Sequence, residues 1–136
     1  MPYTSARIVE LRDAAVESVS TMQRPPIQAV GLTASEVMAR MGHGERFVFV
    51  DTRSSSEWSA TDAKLPGAIH VPEDEVAQHL KELPLGHPVV SYCSSPDEQA
   101  STRVAEKLMR HGFLNAQPLI GGFEAWRRAG YPVEPK

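Results

Sequence analysis

Pro88-Val-Val-Ser-Tyr-Cys-Ser-Ser-Pro-Asp-Glu-Gln-Ala-Ser101 is the stretch of the sequence that decides the fold. Its first part, Val89–Tyr92, is a short apolar run of the kind found in strands that are buried within a sheet. The run ends at Cys93, the one cysteine of the chain. Backbone N–H groups converge between a strand end and a helix start, and they can stabilise a thiolate there. Cys93 is therefore either a reactive thiol or an inert buried residue, and its position alone favours neither.

The first turn of the next helix is signalled directly after this cysteine. Ser95 suits the N-cap, Pro96 the first helical position, and Glu98 the acid of a capping box. Apolar residues then recur at helical spacing, at Ala100, Val104, Ala105, Leu108 and Met109. We predict a helix that packs this stripe against the sheet and stops at Gly112.

Length and composition indicate one globular domain. The 136 residues are 41% hydrophobic and 23% charged, an ordinary balance for a chain that buries a core. A net charge of −3 does not favour nucleic-acid binding. The single cysteine excludes an internal disulfide and fits a reducing compartment, so we expect a cytoplasmic protein. No apolar run approaches the roughly 20 residues of a membrane span, and no histidine spacing indicates a metal, so no cofactor is expected.

The first 24 residues are predicted to form a helical extension that precedes the domain. Tyr3–Met22 carries an apolar stripe at helical spacing, and Arg24-Pro25-Pro26 breaks the pattern. We therefore divide the chain into an extension, 1–24, and a domain, 25–136. A helix docked on the domain is the favoured interpretation. A partner-binding helix and a linker from an upstream domain remain open.

Strands and helices alternate through the rest of the chain. Besides Val89–Tyr92, the predicted strands are Ile27–Gly31, Phe47–Val50, Ala68–Val71 and Gln117–Ile120. The predicted helices are those opened by the capping box Thr33-Ala-Ser-Glu36 and by Ser95-Pro96, together with Ser55–Ser59, Glu73–Leu83 and Phe123–Ala129. This alternation predicts an α/β domain with a largely parallel sheet, in which ligands bind at the carboxyl ends of strands. Cys93 lies at one such end, and Asp51 and Arg53 lie at another.

Four motifs occur in the order found in one known family. They are Val50-Asp-Thr-Arg53 with Glu57-Trp58, then Leu65-Pro-Gly-Ala-Ile-His-Val-Pro72, then Val89-Val-Ser-Tyr-Cys93, and finally Leu119-Ile-Gly-Gly-Phe-Glu-Ala-Trp126 with Gly130-Tyr-Pro-Val133. In these motifs the chain resembles a single-domain rhodanese-type sulfurtransferase. The resemblance implies a three-layer α/β/α fold around a central, mainly parallel sheet of about five strands.

The resemblance also implies a chemistry and a set of site residues. Cys93 would carry sulfane sulfur as a persulfide, taken from thiosulfate or another persulfide and passed to a thiol or to cyanide. A protein can be the partner in either step. The active-site loop would consist of Ser94, Ser95, Pro96, Asp97, Glu98 and Gln99. Asp51 and Arg53 would support it, through hydrogen bonds and an ion pair that fix the loop after their strand, with Glu57 as a candidate partner. Contact with the substrate is the less favoured interpretation.

The active-site loop departs from the family pattern C-x-x-G-x-[RT]. Pro96 replaces the glycine and has no N–H to donate, which removes one hydrogen bond to the sulfur. Asp97 and Glu98 stand where a cation or a hydroxyl is common. Carboxylates oppose thiolate formation and repel anionic donors, so we expect weak turnover of thiosulfate.

Two other functions stay open at this point. A non-catalytic binding or regulatory module could keep the fold without turnover, and the divergent loop favours that alternative. A related cysteine phosphatase or arsenate reductase needs an arginine at the end of the loop to hold the oxyanion. Gln99 occupies that position, which counts against a phosphatase or an arsenate reductase.

Overall fold

A parallel sheet of four strands lies at the centre of the computed structural model, which describes residues 29–94 and 99–136. In chain order the strands are β1 (Val48–Asp51), β2 (Ala63–Lys64), β3 (Ile69–His70), β4 (Val89–Tyr92), β5 (Ala116–Pro118) and β6 (Glu134–Pro135). The central sheet has the order β3-β1-β4-β5, and all its pairs are parallel. Strands β2 and β6 form a separate antiparallel pair that the sequence did not predict.

Five α-helices are present among the described residues: α1 (Ala34–Gly42), α2 (Ser55–Ser59), α3 (Val76–His79), α4 (Gln99–Arg110) and α5 (Gly122–Arg128). The capping box of Thr33 and Glu36 opens α1, and one formed by Ser54 and Glu57 opens α2, because each pair exchanges side-chain and backbone hydrogen bonds. In the described part of the chain, no helix combines the length and the apolarity needed to cross a membrane. The predicted helix Tyr3–Met22 lies outside the described residues.

The prediction of one continuous helix over Glu73–Leu83 is wrong. Residues Glu73–Glu75 and Leu80–Glu82 form 3-10 turns, with only α3 between them. No side chain caps any of the three pieces, so the unpaired N–H groups of a long helix would have had no local partner. Leu83 is already extended, and its side chain is buried.

The strand predictions hold best where the apolar run is longest. Strand β4 has the predicted bounds, and β1 is displaced by one residue. The last parallel strand runs from Ala116 to Pro118 rather than over Gln117–Ile120. A strand is predicted over Ile27–Gly31, but its described residues, 29–31, do not form one. Leu32 instead forms a single parallel bridge to Leu119.

Helices cover both faces of the sheet, which confirms the three-layer arrangement. Along β1, Phe49 packs into one apolar cluster and Val50 into another, because successive side chains of a strand point to opposite faces. The first cluster includes Val37 of α1 and Trp126 of α5. The second includes Val104 of α4, together with Val76 of α3 and Leu108. The carboxyl ends of the strands are left between the two layers of helices.

Trp126 is the largest fully buried side chain of the core, so its truncation gives a test of the packing. Its ring lies edge-on to Phe49 and Tyr131, at centroid distances of 5.6 and 5.3 Å, and its Nε1 donates to the Pro132 carbonyl at 2.8 Å. We expect Trp126→Ala to lower the free energy of unfolding by about 3–5 kcal/mol in denaturant titrations. Leu114→Ala is the control, since this side chain is 75% exposed and should change the same quantity by less than about 0.5 kcal/mol. A loss below about 1 kcal/mol for Trp126→Ala would contradict the packing.

Candidate functional site

A buried ion pair closes the carboxyl end of β1. The Arg53 guanidinium donates from Nη2 to Asp51 Oδ2 at 2.5 Å and from Nε to Oδ1 at 2.9 Å, and both side chains are fully buried. The remaining donors reach the next loop, with Nη1 to Thr61 Oγ1 at 2.8 Å and Nη2 to the Ala63 carbonyl at 2.9 Å. The donors of the guanidinium are thus occupied by protein groups.

Tyr92 joins the ion pair to the neighbouring strand β4. Its hydroxyl donates to Asp51 Oδ2 at 2.7 Å and accepts from the Leu65 N–H at 3.1 Å. Burial and then the nearby Asp51 charge raise the pKa of Tyr92 well above its usual range, so the phenol stays protonated. Burial alone would lower the pKa of Arg53, but the hydrogen bonds and charge of Asp51 outweigh it and raise that pKa. The guanidinium therefore stays protonated beside Asp51, and Tyr92 holds the pair in place.

Aromatic rings surround the buried guanidinium. The Arg53 Cζ atom lies 4.9 Å from the centroid of Phe123, 5.4 Å from that of Trp58 and 5.8 Å from that of Tyr92. Trp58 in turn stacks on His70 at 4.2 Å, with the ring planes 4° apart. His70 Nε2 lies 2.7 Å from the Arg53 carbonyl oxygen. This histidine is engaged with the loop after β1.

Cys93 lies directly after β4, between the starts of two helices. Its side chain is 6% exposed, and Sγ lies 3.8 Å from Ser101 Oγ of α4. The Cys93 carbonyl accepts from the Phe123 N–H of α5 at 2.8 Å. That approach requires a tight turn at Gly121, whose φ is +80°. If Gly121 were replaced by a residue with a side chain, the new Cβ would lie 2.6 Å from the Cβ of Ala125. Both helix starts thus converge on the residue that the sequence predicts to react.

Ser94, the residue after the cysteine, is tied to α2 by Glu57. Its hydroxyl donates to Glu57 Oε2 at 2.5 Å. The other carboxylate oxygen, Oε1, accepts from the N–H and the Oγ of Ser54, each at 3.1 Å. The bond from Ser94, followed by that from the Ser54 backbone, lowers the pKa of Glu57 below its usual range. Glu57 is therefore ionised at neutral pH, and its carboxylate contacts Ser94, the residue that follows Cys93.

A cleft of about 480 Å³ opens beside this loop at the carboxyl ends of β1 and β3. We call it the acidic cleft, and its lining includes Ser54, Glu57, Glu73, Asp74, Glu75 and Lys107. Ala100, the neighbour of Ser101 in α4, also lines it. Arg103 forms an ion pair with Glu73, and Lys107 Nζ donates to the Glu73 carbonyl at 3.0 Å. Carboxylates still outnumber cations here, so the cleft itself is negative.

The predicted site residues are only partly brought together by the described structure. Cys93 and Ser94 lie at the site, and Gln99 is the first residue of α4, with an exposed side chain. Ser95, Pro96, Asp97 and Glu98 lie outside the described residues. Among residues 29–94 and 99–136, no group of three or more His, Cys, Asp or Glu side chains is placed to hold a metal ion.

Sequence reasoning missed two features of this site. Ser101 is fully buried against Cys93, and its place on the apolar stripe, three residues before Val104, is a signal that could have indicated this. The contact between Glu57 and Ser94 spans 37 positions and leaves no local pattern. Glu57 was recognised only as part of a motif.

Comparison with known proteins agrees with this arrangement. Residues 33–129 match the family described as Rhodanese-like domain. The chain belongs to that family. The rhodanese-like fold is also seen in a solution structure of the rhodanese-like domain of an Anabaena protein, which has a TM-score of 0.64 and 24% identity and covers 76% of this chain and 77% of that one.

Two curated relatives carry different kinds of name. The thiosulfate sulfurtransferase GlpE of Actinobacillus succinogenes is 32% identical over 90 residues, which cover 66% of this chain and 78% of that protein. An HTH-type transcriptional regulator of Mycobacterium tuberculosis is 31% identical over 130 residues, which cover 91% of this chain. The match spans about half of the regulator's length, 52%.

A buried and an exposed ion pair allow a matched test of how much the Asp51–Arg53 pair stabilises the fold. We expect Asp51→Asn to lower the free energy of unfolding by about 3–5 kcal/mol, because it leaves the Arg53 charge buried without its counter-charge. Glu45→Gln is the control, since Glu45 accepts two bonds of 2.7 Å from Arg40 at the surface and its loss should cost under about 1 kcal/mol. Equal losses for the two variants in denaturant titrations would refute the stabilising role of the buried pair.

Proposed function

We propose that this chain is a sulfurtransferase that carries sulfane sulfur as a persulfide on Cys93. The observation that carries the proposal is the position of Cys93, at the end of β4 and between the starts of α4 and α5, in a rhodanese-like domain. Its similarity to a named thiosulfate sulfurtransferase supports the same activity. Backbone N–H groups at such a junction favour both the thiolate and the persulfide anion.

The reaction proceeds in two nucleophilic displacements at sulfur. In the first, the Cys93 thiolate attacks the outer sulfur of thiosulfate, an S–S bond forms to Cys93, and sulfite leaves with the electron pair of the broken S–S bond. In the second, cyanide or a thiolate attacks the terminal sulfur of the persulfide. The new bond forms to the acceptor, and the electron pair of the broken bond restores the Cys93 thiolate. Total charge is conserved in each step, and no external oxidant is needed.

The charges around the loop point to a donor other than thiosulfate as the efficient one. Asp97 and Glu98 follow the cysteine in sequence, and Glu57 accepts from Ser94 and lines the acidic cleft. Thiosulfate carries two negative charges and is repelled by this field. A persulfide of lower charge, on a small thiol or on a protein, suits the site better.

Replacement of the proposed nucleophile tests the activity directly. We expect Cys93→Ser to abolish the transfer of sulfur to cyanide, measured as thiocyanate formed, because a serine hydroxyl cannot form the persulfide. The variant should keep the denaturation midpoint of the wild type, which controls for misfolding. Thiocyanate production by pure Cys93→Ser at the wild-type rate would remove Cys93 from the mechanism.

Neutralising the loop acids tests donor selection. We expect Asp97→Asn with Glu98→Gln to increase kcat/KM for thiosulfate, since each carboxylate at ~4–6 Å opposes the donor by about one to a few kcal/mol at an effective dielectric near 20. Lowering the activation barrier by about 1.4 kcal/mol raises the rate about tenfold. The gain should shrink in high salt, which screens exposed charges. A neutral variant that is no faster at low salt would assign the limitation to backbone geometry around Pro96.

A regulatory module is the second candidate function. The similarity over 91% of this chain to a transcriptional regulator favours it. In that role Cys93 would accept sulfur as a signal, and the extension 1–24 would link the domain 25–136 to another unit. Steady-state assays separate the two candidates, because an enzyme passes sulfur to an acceptor many times, whereas a module loads once per chain.

A further inference from the structure

An apolar groove lies at the end of the sheet opposite Cys93. Its volume is about 370 Å³, and its lining consists of Leu80, Lys81, Leu83, Leu85, His111 and Phe113. Leu83 and Phe113 form its floor and are buried in the second apolar cluster, whereas Leu85 is 68% exposed. Leu85 precedes β4 and Phe113 precedes β5, whereas Cys93 follows β4. The groove therefore lies at the amino ends of these parallel strands.

The first described residues run towards this groove. Ala29 packs against the second apolar cluster, to which the floor of the groove belongs. The Val30 carbonyl accepts from Gln117 Nε2 of β5 at 2.9 Å, and Leu32 bridges Leu119 in parallel. Because the chain is parallel to β5 here, the residues before Ala29 approach the amino end of β5, which is the end where the groove opens.

The extension 1–24 carries an apolar stripe that suits such a groove. The stripe consists of Ile8, Leu11, Ala15 and Val19, and the opposite helical face carries the acids Glu10, Asp13 and Glu17. Six residues, Gln23–Gln28, connect the predicted helix Tyr3–Met22 to Ala29, and they can span at most about 20 Å. This short tether raises the effective concentration of the stripe at the groove and favours it over a separate partner. We propose that the predicted helix Tyr3–Met22 docks its apolar stripe in the groove of the same chain.

Docking at this position extends one layer of the fold and leaves the cysteine accessible. The floor of the groove belongs to the cluster that packs α4 against the sheet, so the docked helix adds to the α4 side. The carboxyl ends of the strands, where Cys93 lies, stay uncovered because the groove is at the other end. The docking is thus independent of the proposed sulfur transfer, and either can fail without the other.

Hydrogen exchange of the full chain, measured by mass spectrometry of its peptides, tests the docking. Two variants disrupt the contact from its two sides: Leu85→Asp places a charge in the groove, and Leu11→Ser removes an apolar side chain from the stripe. We expect the amides of Tyr3–Met22 to exchange on the order of tenfold faster in each variant than in the wild type, because burial of the stripe is what protects them.

Leu114→Asp and Glu10→Ser are the matched controls. Leu114 is also an exposed leucine, at 75%, but it is not among the residues that line the groove. Glu10 is the neighbour of Leu11 in the chain and lies on the opposite face of the predicted helix. Both controls should leave the exchange rates of Tyr3–Met22 within about twofold of the wild type. Denaturation midpoints of all four variants show whether the domain remains folded.

The possible results separate docking within one chain from the alternatives. Slow exchange that does not depend on protein concentration, and that Leu85→Asp and Leu11→Ser accelerate more than their controls, supports the docking. Wild-type amides of Tyr3–Met22 that exchange as fast as an unstructured peptide would overturn it, as would wild-type rates in Leu85→Asp or Leu11→Ser, or equal acceleration in the controls. Protection that is lost on dilution would also overturn it, by assigning the groove to a second copy of the chain.

Discussion

The ion pair of Asp51 and Arg53 is the interaction on which the rest of the site depends. Removing two charges from water costs several kcal/mol per ion, and the cost is offset here because the described bonds satisfy the carboxylate and the guanidinium together. Through Tyr92 the pair connects β1 to β4, and through Ala63 it holds the loop that leads to β2. The end of β4, and with it Cys93, is fixed relative to β1 by this network.

The same pair is neutral overall, and this leaves the charge of the site to the exposed acids. Because Asp51 neutralises Arg53, the buried Arg53 charge does not attract anions, and the exposed acids set the field. The helix start after Cys93 favours a thiolate by about 0.3–1 kcal/mol, which is smaller than the repulsion of a dianion by several nearby carboxylates. A nucleophile is therefore compatible with the site, whereas rapid use of thiosulfate is not expected. The chain keeps the fold of its family.

Local signals were sufficient for much of the fold and for little of the site. The strand Val89–Tyr92 and the capping box of Thr33 and Glu36 are encoded by neighbouring residues, and they were predicted correctly. The segment Glu73–Leu83 has helical spacing but no caps, and it broke into short turns. The contact of Glu57 with Ser94 joins α2 to the loop after β4, and only the folded sheet brings them together, so no spacing in the sequence could reveal it. Ser101 carried a signal, as a polar residue on a buried stripe.

The proposed activity requires that Cys93 take up one sulfur atom and hold it as a persulfide. Intact-mass spectrometry measures this step, on protein purified without reductant and incubated with an organic persulfide of low charge. We expect a mass gain of one sulfur in the wild type, its loss after treatment with a thiol or cyanide, and no gain in Cys93→Ser. A wild-type protein whose mass does not change under these conditions would refute persulfide formation on Cys93.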